Sequence, residues 1–193
     1  MRRAFLVGVI LALGASGAWA QAITGFSGGT PYSSYYSPSV AGDVVGFRFT
    51  VSSPLQVFDL GVWNADSVGG LDTPHQVGIW DGSQMLIASV TVDPATGTPL
   101  GQWTYNAITP VVLNPGETYT IGALYVAGGT DYYISGASSM TTAPEVTWVQ
   151  SVYPAAGELG FVYPAGNTTS FGRFGPNFNF TIVPVELQSF SVE

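Results

Sequence analysis

The chain has 193 residues, with four basic and twelve acidic side chains and a formal net charge of −8 at pH 7. It contains no cysteine, which excludes disulfides and every thiolate-based catalytic or metal site. After residue 20 the only lysine or arginine residues are Arg48 and Arg173, so the surface repels phosphate backbones and nucleic acid is not an expected partner.

Residues 1–20 have the pattern of a signal peptide. Two arginines precede an apolar run over residues 4–13, and Ala18-Trp19-Ala20 puts small residues at the −3 and −1 positions of a cleavage site. We expect cleavage after Ala20 and export to the cell surface or the extracellular space, with the periplasm as the alternative. A membrane-spanning helix needs an apolar run of about 18 residues or more, and no run after residue 20 is that long. We therefore expect no transmembrane segment in the mature chain.

Residues 21–42 are rich in Gly, Ser, Tyr and Pro and predict an irregular N-terminal arm or a short edge strand. From residue 43 onward, short β-branched and aromatic runs are separated by turn residues at intervals of roughly 8–12 residues, a spacing typical of sandwiches and barrels. No stretch of helical length after residue 20 has a 3.6-residue period. We therefore predict one all-β, antiparallel domain over residues 43–193.

Six segments of this domain occur in the order found in a known family. They are Val45–Val51, Leu60–Trp63, Gly70–Asp81, Leu86–Val92, Pro110–Gly122 and Phe174–Phe178. Together they resemble an uncharacterised secreted β-domain of bacterial PEP-CTERM-type surface proteins, similar to domain of unknown function 4082. The resemblance implies a jelly-roll-like β-sandwich outside the cytoplasm and brings no established activity. The Pro-Glu-Pro sorting tail of such proteins does not appear in the sequence, and residues 183–193 predict a closing strand or a sorting-related segment.

His75 is the only histidine, so any catalytic triad would have to use it. Asp72 lies three positions before it and could orient the imidazole, although a structural hydrogen bond that fixes the loop is the preferred interpretation. Trp63, Trp80 and Trp103 fall within strand patterns and are predicted to be core residues. The candidate ligand-binding residues, chosen because flat rings and polar neighbours suit the face of a sugar, are Tyr32, Tyr35, Tyr36, Tyr132, Tyr133, Asp72 and His75.

A structural calcium ion is the one cofactor that the sequence suggests. Asp66, Asp72 and Asp131 lie in the loosest loops, and carboxylate and carbonyl oxygens are the ligands that Ca²⁺ prefers. The sequence has no dense D-x-D-x-D-G string, so calcium is a possibility and no other cofactor is expected.

Three functions stay open at this point. The first is a non-enzymatic secreted or cell-surface protein with a structural, adhesive or matrix role, which self-associates through unguarded edge strands in a chain that has no lysine. The second is an extracellular carbohydrate-binding module whose partner is a polysaccharide. The third is a hydrolase that uses carboxylates or His75, which we rank last.

Overall fold

The computed structural model describes residues 19–33, 42–64, 71–126 and 129–184. These ranges hold sixteen β-strands and no helix. The strands are β1 (Trp19–Gln21), β2 (Ile23–Ser27), β3 (Thr30–Tyr32), β4 (Asp43–Val51), β5 (Leu55–Trp63), β6 (His75–Trp80), β7 (Leu86–Val92), β8 (Thr98–Leu100), β9 (Trp103–Leu113), β10 (Tyr119–Tyr125), β11 (Tyr133–Ser135), β12 (Ser139–Thr142), β13 (Val146–Tyr153), β14 (Gly166–Thr168), β15 (Gly172–Phe174) and β16 (Pro176–Ile182).

Two large antiparallel sheets form the body of the protein. The five-stranded sheet has the order β1-β16-β5-β9-β8, and the six-stranded sheet has the order β14-β13-β4-β10-β6-β7. The chain crosses repeatedly between them: β4 lies in the larger sheet, β5 in the smaller, β6 and β7 in the larger, and β8 and β9 in the smaller again. This confirms the predicted all-β, antiparallel sandwich of jelly-roll-like type. Two small sheets, β15-β11-β3 and β12-β2, flank it.

The core lies between the inner faces of the two sheets because strand residues alternate between faces. In β4, Phe47 and Phe49 are fully buried, and in β16 the same holds for Phe178. The rings of Phe49 and Phe178 approach to 5.0 Å between centroids, which joins one sheet to the other. Trp63 and Trp103 are also buried, as the sequence predicted, and they pack against Phe26 of the small sheet β12-β2.

The outer face of the six-stranded sheet carries a row of three paired glycines. Gly122 of β10 lies opposite Gly46 of β4 on one side and Gly78 of β6 on the other. A Cβ at Gly122 would lie 3.3 Å from the Trp80 ring, and one at Gly78 would lie 2.9 Å from Phe161. Trp80 is therefore buried, as predicted, but it lies on this outer face, under the ring of Phe161 at 5.4 Å.

The segment after the predicted cleavage site is not irregular where the structure describes it, at residues 21–33. Ala22 and Ile23 are fully buried, and the side chain of Asn177 forms two hydrogen bonds of 2.9 Å with the backbone of Ile23. Of the two predicted alternatives, an irregular arm or a short edge strand, the described residues show short strands: the apolar residues reach the core, and their backbone groups pair with β12 and β16. Residues 34–41 of that arm and the tail at residues 185–193 lie outside the described residues.

Candidate functional site

A buried histidine–aspartate cluster fixes the two loops that flank β6 and β11. His75 begins β6 and is 3% exposed, and Asp131, which precedes β11, is 2% exposed. His75 Nε2 lies 2.9 Å from Asp131 Oδ2, and His75 Nδ1 lies 2.7 Å from the Leu124 carbonyl oxygen. The ring of Tyr125 covers the imidazole at 4.8 Å. The cluster thus connects three segments that are far apart in sequence.

Four donors converge on the Asp131 carboxylate. The backbone N–H of Asp72 donates to Oδ1 at 2.6 Å, while the Thr73 N–H and hydroxyl donate to Oδ2 at 2.9 and 2.5 Å. His75 Nε2 is the fourth. Burial raises the pKa of the Asp131 carboxyl, but the hydrogen bonds from His75, Thr73 and Asp72 outweigh it and hold this pKa below its usual value. The carboxylate is therefore ionised.

Both nitrogens of His75 face acceptors, a carbonyl oxygen and a carboxylate oxygen. The backbone carbonyl oxygen and the carboxylate oxygen can only accept hydrogen bonds, so both ring nitrogens are engaged within the protein. A catalytic triad instead needs one ring nitrogen aimed at a hydroxyl nucleophile and the other at the acid. Here the Thr73 hydroxyl donates to Asp131, so the geometry supports the structural interpretation of His75.

The calcium candidates are not brought together within the described residues. The Asp72 side chain is exposed, and this residue contributes its backbone N–H to the cluster. The Asp131 carboxylate already binds hydrogen-bond donors, which gives it a role other than the predicted one of a calcium ligand. Asp66 lies outside the described residues. In the described parts of the chain, no three His, Cys, Asp or Glu side chains lie close enough to hold a metal ion.

Two of the predicted aromatic residues do meet, in the small sheet β15-β11-β3. Tyr32 of β3 pairs with Tyr133 of β11, and their rings stack at 6.2 Å with the Tyr32 side chain 48% exposed. Together with Ser135 and Arg173 they line a hollow of about 180 Å³. Tyr132 packs against the core instead. Tyr35 and Tyr36 lie outside the described residues.

Arg173 lies at the centre of this region. Its guanidinium carbon is 5.9 Å from the Tyr133 ring centroid and 5.6 Å from that of Tyr153, and Nη1 donates a hydrogen bond to Ser135 Oγ. On its other side, Arg173 also lines a second hollow of about 260 Å³. The further residues of that hollow are Ser135, Gly136, Tyr153, Thr168, Ser170, Phe171 and Gly172. We call the two adjoining hollows the Arg173 cleft.

The backbone at Arg173 is in the left-handed region, with φ of 63°. In the pairing of β15 with β11, Phe174 lies opposite Ile134 and Gly172 lies opposite Ser135, so Arg173 is an extra residue in a β-bulge. Glycine is the residue that such a position normally takes, because a side chain there adds roughly 1–2 kcal/mol of strain. A bulge also redirects the side chain that it carries. The combination of bulge, strain and arginine marks the cleft as the strongest candidate site.

Sequence reasoning missed Arg173 and Tyr153 as site residues. One signal was available in the sequence. Only two lysine or arginine residues follow residue 20, so each of them is a candidate for a specific role. Arg48 lies 5.7 Å over the Tyr163 ring, and Arg173 lies between two tyrosines. The bulge itself has no sequence signature here, because the bulged residue is not glycine.

These features define a β-sandwich module that contains the buried histidine–aspartate cluster and the Arg173 cleft. Residues 31–173, most of the chain, match the family described as "Domain of unknown function (DUF4082)", and the chain belongs to this family. This confirms the resemblance found in the sequence. No curated protein matches the chain. None of the described residues form a helix that is long and apolar enough to cross a membrane.

Proposed function

We propose that this protein is a non-enzymatic, exported β-sandwich with an adhesive role, and that the Arg173 cleft binds an extracellular polysaccharide. The observation that carries the proposal is the arginine held between two tyrosine rings on a left-handed bulge. Export and a surface or extracellular location rest on the predicted signal peptide at residues 1–20.

The backbone strain supports a role for the guanidinium group beyond packing. Residues in sparsely populated backbone regions persist where the surrounding structure holds them, and they cluster at ligand-binding sites. The rings of Tyr133 and Tyr153, 5.9 and 5.6 Å from the guanidinium carbon, and the hydrogen bond to Ser135 Oγ hold this group in place before a ligand arrives. A group fixed in this way loses less conformational entropy on binding, which favours affinity.

The ligand chemistry follows from the side chains of the cleft. A guanidinium group binds a carboxylate through two parallel hydrogen bonds, while tyrosine faces and the hydroxyls of Ser135, Thr168 and Ser170 suit a sugar ring. The chain carries a net charge of −8, so a densely charged polyanion would be repelled. We therefore propose a polysaccharide with isolated uronate residues, one of which occupies the cleft.

The buried cluster supports the non-enzymatic part of the proposal. The sole histidine is 3% exposed, and both of its ring nitrogens are held by structural partners. A hydrolase that relies on His75 would need this ring to reach a substrate.

Retention on immobilised polysaccharides tests the proposal, with uronate-bearing polymers compared with neutral glucans. Arg173→Gly removes the guanidinium and relieves about 1–2 kcal/mol of strain. It also loses two ring contacts of about 0.5–1 kcal/mol each and the hydrogen bond to Ser135 Oγ, so near-UV circular dichroism should accompany the retention assay to show that the variant is folded. We expect this variant to fold and to lose retention on the uronate polymers.

Arg48→Gln is the matched control, because it removes the other cation that lies over a tyrosine ring. It should leave retention unchanged. Absence of retention of the unaltered protein on every polymer would refute the proposal, and so would equal retention of the Arg173→Gly variant.

Self-association is the second candidate, and the edge strand β7 favours it. In the described residues β7 ends the six-stranded sheet, and its first residue, Leu86, is 46% exposed beside Met85, which is 66% exposed. Unguarded apolar edges pair with other chains, and a lysine blocks such pairing. If β7 mediates assembly, Leu86→Lys should convert oligomers into monomers in sedimentation velocity. Deletion of residues 21–42 would not test self-association specifically, because it also removes the core residue Ile23.

A further inference from the structure

A second hollow lies on the outer face of the five-stranded sheet, away from the core. Asp59 of β5 pairs with Asn179 of β16, and Gly61 of β5 pairs with Tyr105 of β9, on the face opposite to Leu60. Because Gly61 has no side chain, the Tyr105 ring lies directly over β5: a Cβ at Gly61 would be 2.5 Å from it. The resulting groove has a volume of about 230 Å³. Its lining residues are Trp19, Phe58, Asp59, Thr98, Leu100, Tyr105 and Asn179.

Asn179 carries a buried acceptor that has no donor among the described residues. The side chain is 4% exposed, and its Nδ2 donates to Asp59 Oδ2 at 3.3 Å. A carboxylate only accepts hydrogen bonds, so this contact fixes the orientation of the amide and turns Oδ1 away from Asp59. Oδ1 has no hydrogen-bond partner in the described structure. A buried acceptor left in this state costs about 1–3 kcal/mol, so a donor from outside the chain would be stabilising.

We propose that this groove binds one pyranose ring of a neutral sugar. A ring hydroxyl donates to the Asp59 carboxylate, the Asn179 side chain turns so that its buried Oδ1 accepts a hydrogen bond from a second hydroxyl, and the C–H face of the ring packs on Phe58 and Leu100. The volume fits a ligand of this size, because it is below the roughly 300–1,000 Å³ of pockets that hold drug-sized molecules.

The polar atoms of the groove select against an anion. Asp59 and Asn179 Oδ1 both accept hydrogen bonds, and Gln21 Nε2, which donates to the Tyr105 oxygen at 2.9 Å, is already engaged. Burial raises the pKa of the Tyr105 phenol above its usual range, so this group stays neutral. The groove and the Arg173 cleft therefore differ in ligand class, and the inference does not depend on the proposed function of the cleft.

The predicted processing of the chain would change one wall of the groove. Cleavage after Ala20 would remove Trp19, which is 54% exposed at one wall. The other six lining residues lie between positions 58 and 179.

The test is an NMR titration of isotope-labelled protein with methyl glycosides of glucose, galactose and mannose at millimolar concentrations. We expect saturable shifts of the amide signals of Asp59, Tyr105 and Asn179 with at least one of the three. Asn179→Leu, which removes the acceptor at similar volume, should weaken that binding about tenfold. Asp59→Asn should weaken it to a similar degree, since it removes the charge-assisted hydrogen bond.

Arg173→Gly is the matched control: it should bind the methyl glycoside with unchanged affinity, while Asn179→Leu should keep its retention on uronate polymers. This arrangement separates failure of the groove from failure of the cleft. Absence of saturable shifts with all three glycosides overturns the inference, as does unchanged affinity in Asn179→Leu. If near-UV circular dichroism shows that Asn179→Leu does not fold, Asp59→Asn decides alone, and unchanged affinity in that variant overturns the inference.

Discussion

Replacement of Asp131 by asparagine tests whether the buried cluster holds the loops in place. The carboxylate accepts hydrogen bonds from Asp72 N–H, Thr73 N–H, the Thr73 hydroxyl and His75 Nε2. An asparagine keeps one oxygen and places an NH₂ group against the remaining donors. With the oxygen at Oδ2, this NH₂ meets the Asp72 N–H, which was 2.6 Å from Oδ1. The change therefore leaves at least one donor of the cluster unpaired and removes the negative charge to which the remaining donors bind.

The size of the effect follows from these two losses. An unpaired buried donor costs about 1–3 kcal/mol, and each remaining hydrogen bond weakens from the about 1.5–3 kcal/mol of a bond to a charged group to the about 0.5–1.5 kcal/mol of a neutral one. We expect Asp131→Asn to lower the free energy of unfolding by about 3–5 kcal/mol, a large part of the roughly 5–15 kcal/mol of a typical domain. Asp72→Asn is the matched control, because the Asp72 side chain is exposed. It should change stability by at most about 0.5 kcal/mol.

Urea denaturation followed by tryptophan fluorescence measures both variants. The two curves should share the slope of the unaltered protein and differ in midpoint. A loss below about 1 kcal/mol for Asp131→Asn would refute the argument from the buried negative charge, since that is what an exposed ion pair contributes.

The difference in unfolding free energy between the unaltered protein and Asp131→Asn should depend on pH, and the pKa of Asp131 gives the sign. The pKa of Asp131 is lower in the folded protein than in the unfolded chain, so its contribution is fully present above the unfolded value of about 3.9. It is lost as the pH falls from there through the folded pKa. The stability difference between the unaltered protein and Asp131→Asn should therefore shrink on acidification below about pH 4. A difference that stays constant over that range would contradict the assignment.

Three further predictions concern the core, the glycine row and processing. Phe178→Ala should cost about 3–5 kcal/mol of unfolding free energy, whereas Val112→Ala at a 47% exposed site should cost little. Gly46→Ala should lower the free energy of unfolding by at least about 1–3 kcal/mol, because its Cβ would lie 2.0 Å from the Ile121 carbonyl oxygen and the backbone would have to shift. Gly25→Ala is its control, since a Cβ there would have no atom within 4 Å. Intact mass of the exported protein should correspond to a chain that begins at Gln21; a mass that retains residue 19 would refute the predicted cleavage site.

The fold was predictable because its main signal is local. In β4, apolar residues at alternate positions identify the buried face, and the same period runs through β6 and β10. Trp63 and Trp103 were predicted as core residues for the same reason, and each is at most 6% exposed. The sequence pattern was less decisive at residues 21–33, where glycine and proline left an irregular arm and a short edge strand as alternatives and the structure has short strands. Their pairing depends on Asn177, which is 154 positions from Ile23.

The candidate site was harder to predict because its contacts are not local. The sequence offers Asp72, three positions before His75, as a residue that could orient the imidazole, but the partner is Asp131, which is 56 positions away. The sequence alone suggests Asp131 only as an oxygen ligand for calcium. His75 and Asp131 come together because β6 pairs with β10. This pairing places His75 beside Leu124 at the end of β10, and Asp131 follows seven positions later in the chain. No window of the sequence contains that information.

The two arginines after residue 20 show why backbone conformation separates packing from binding. Arg48 lies in the regular strand β4, where its stem covers the sheet and its guanidinium meets Tyr163 at 5.7 Å. No strain accompanies this contact, and packing alone explains it. Arg173 makes similar contacts with two rings, but at φ of 63° in a bulge where glycine would be unstrained. Ring contacts of about 0.5–1 kcal/mol each and the hydrogen bond to Ser135 Oγ work against that strain. The strained backbone at Arg173 supports a ligand-binding role, and Arg173→Gly, with Arg48→Gln beside it, separates that role from packing.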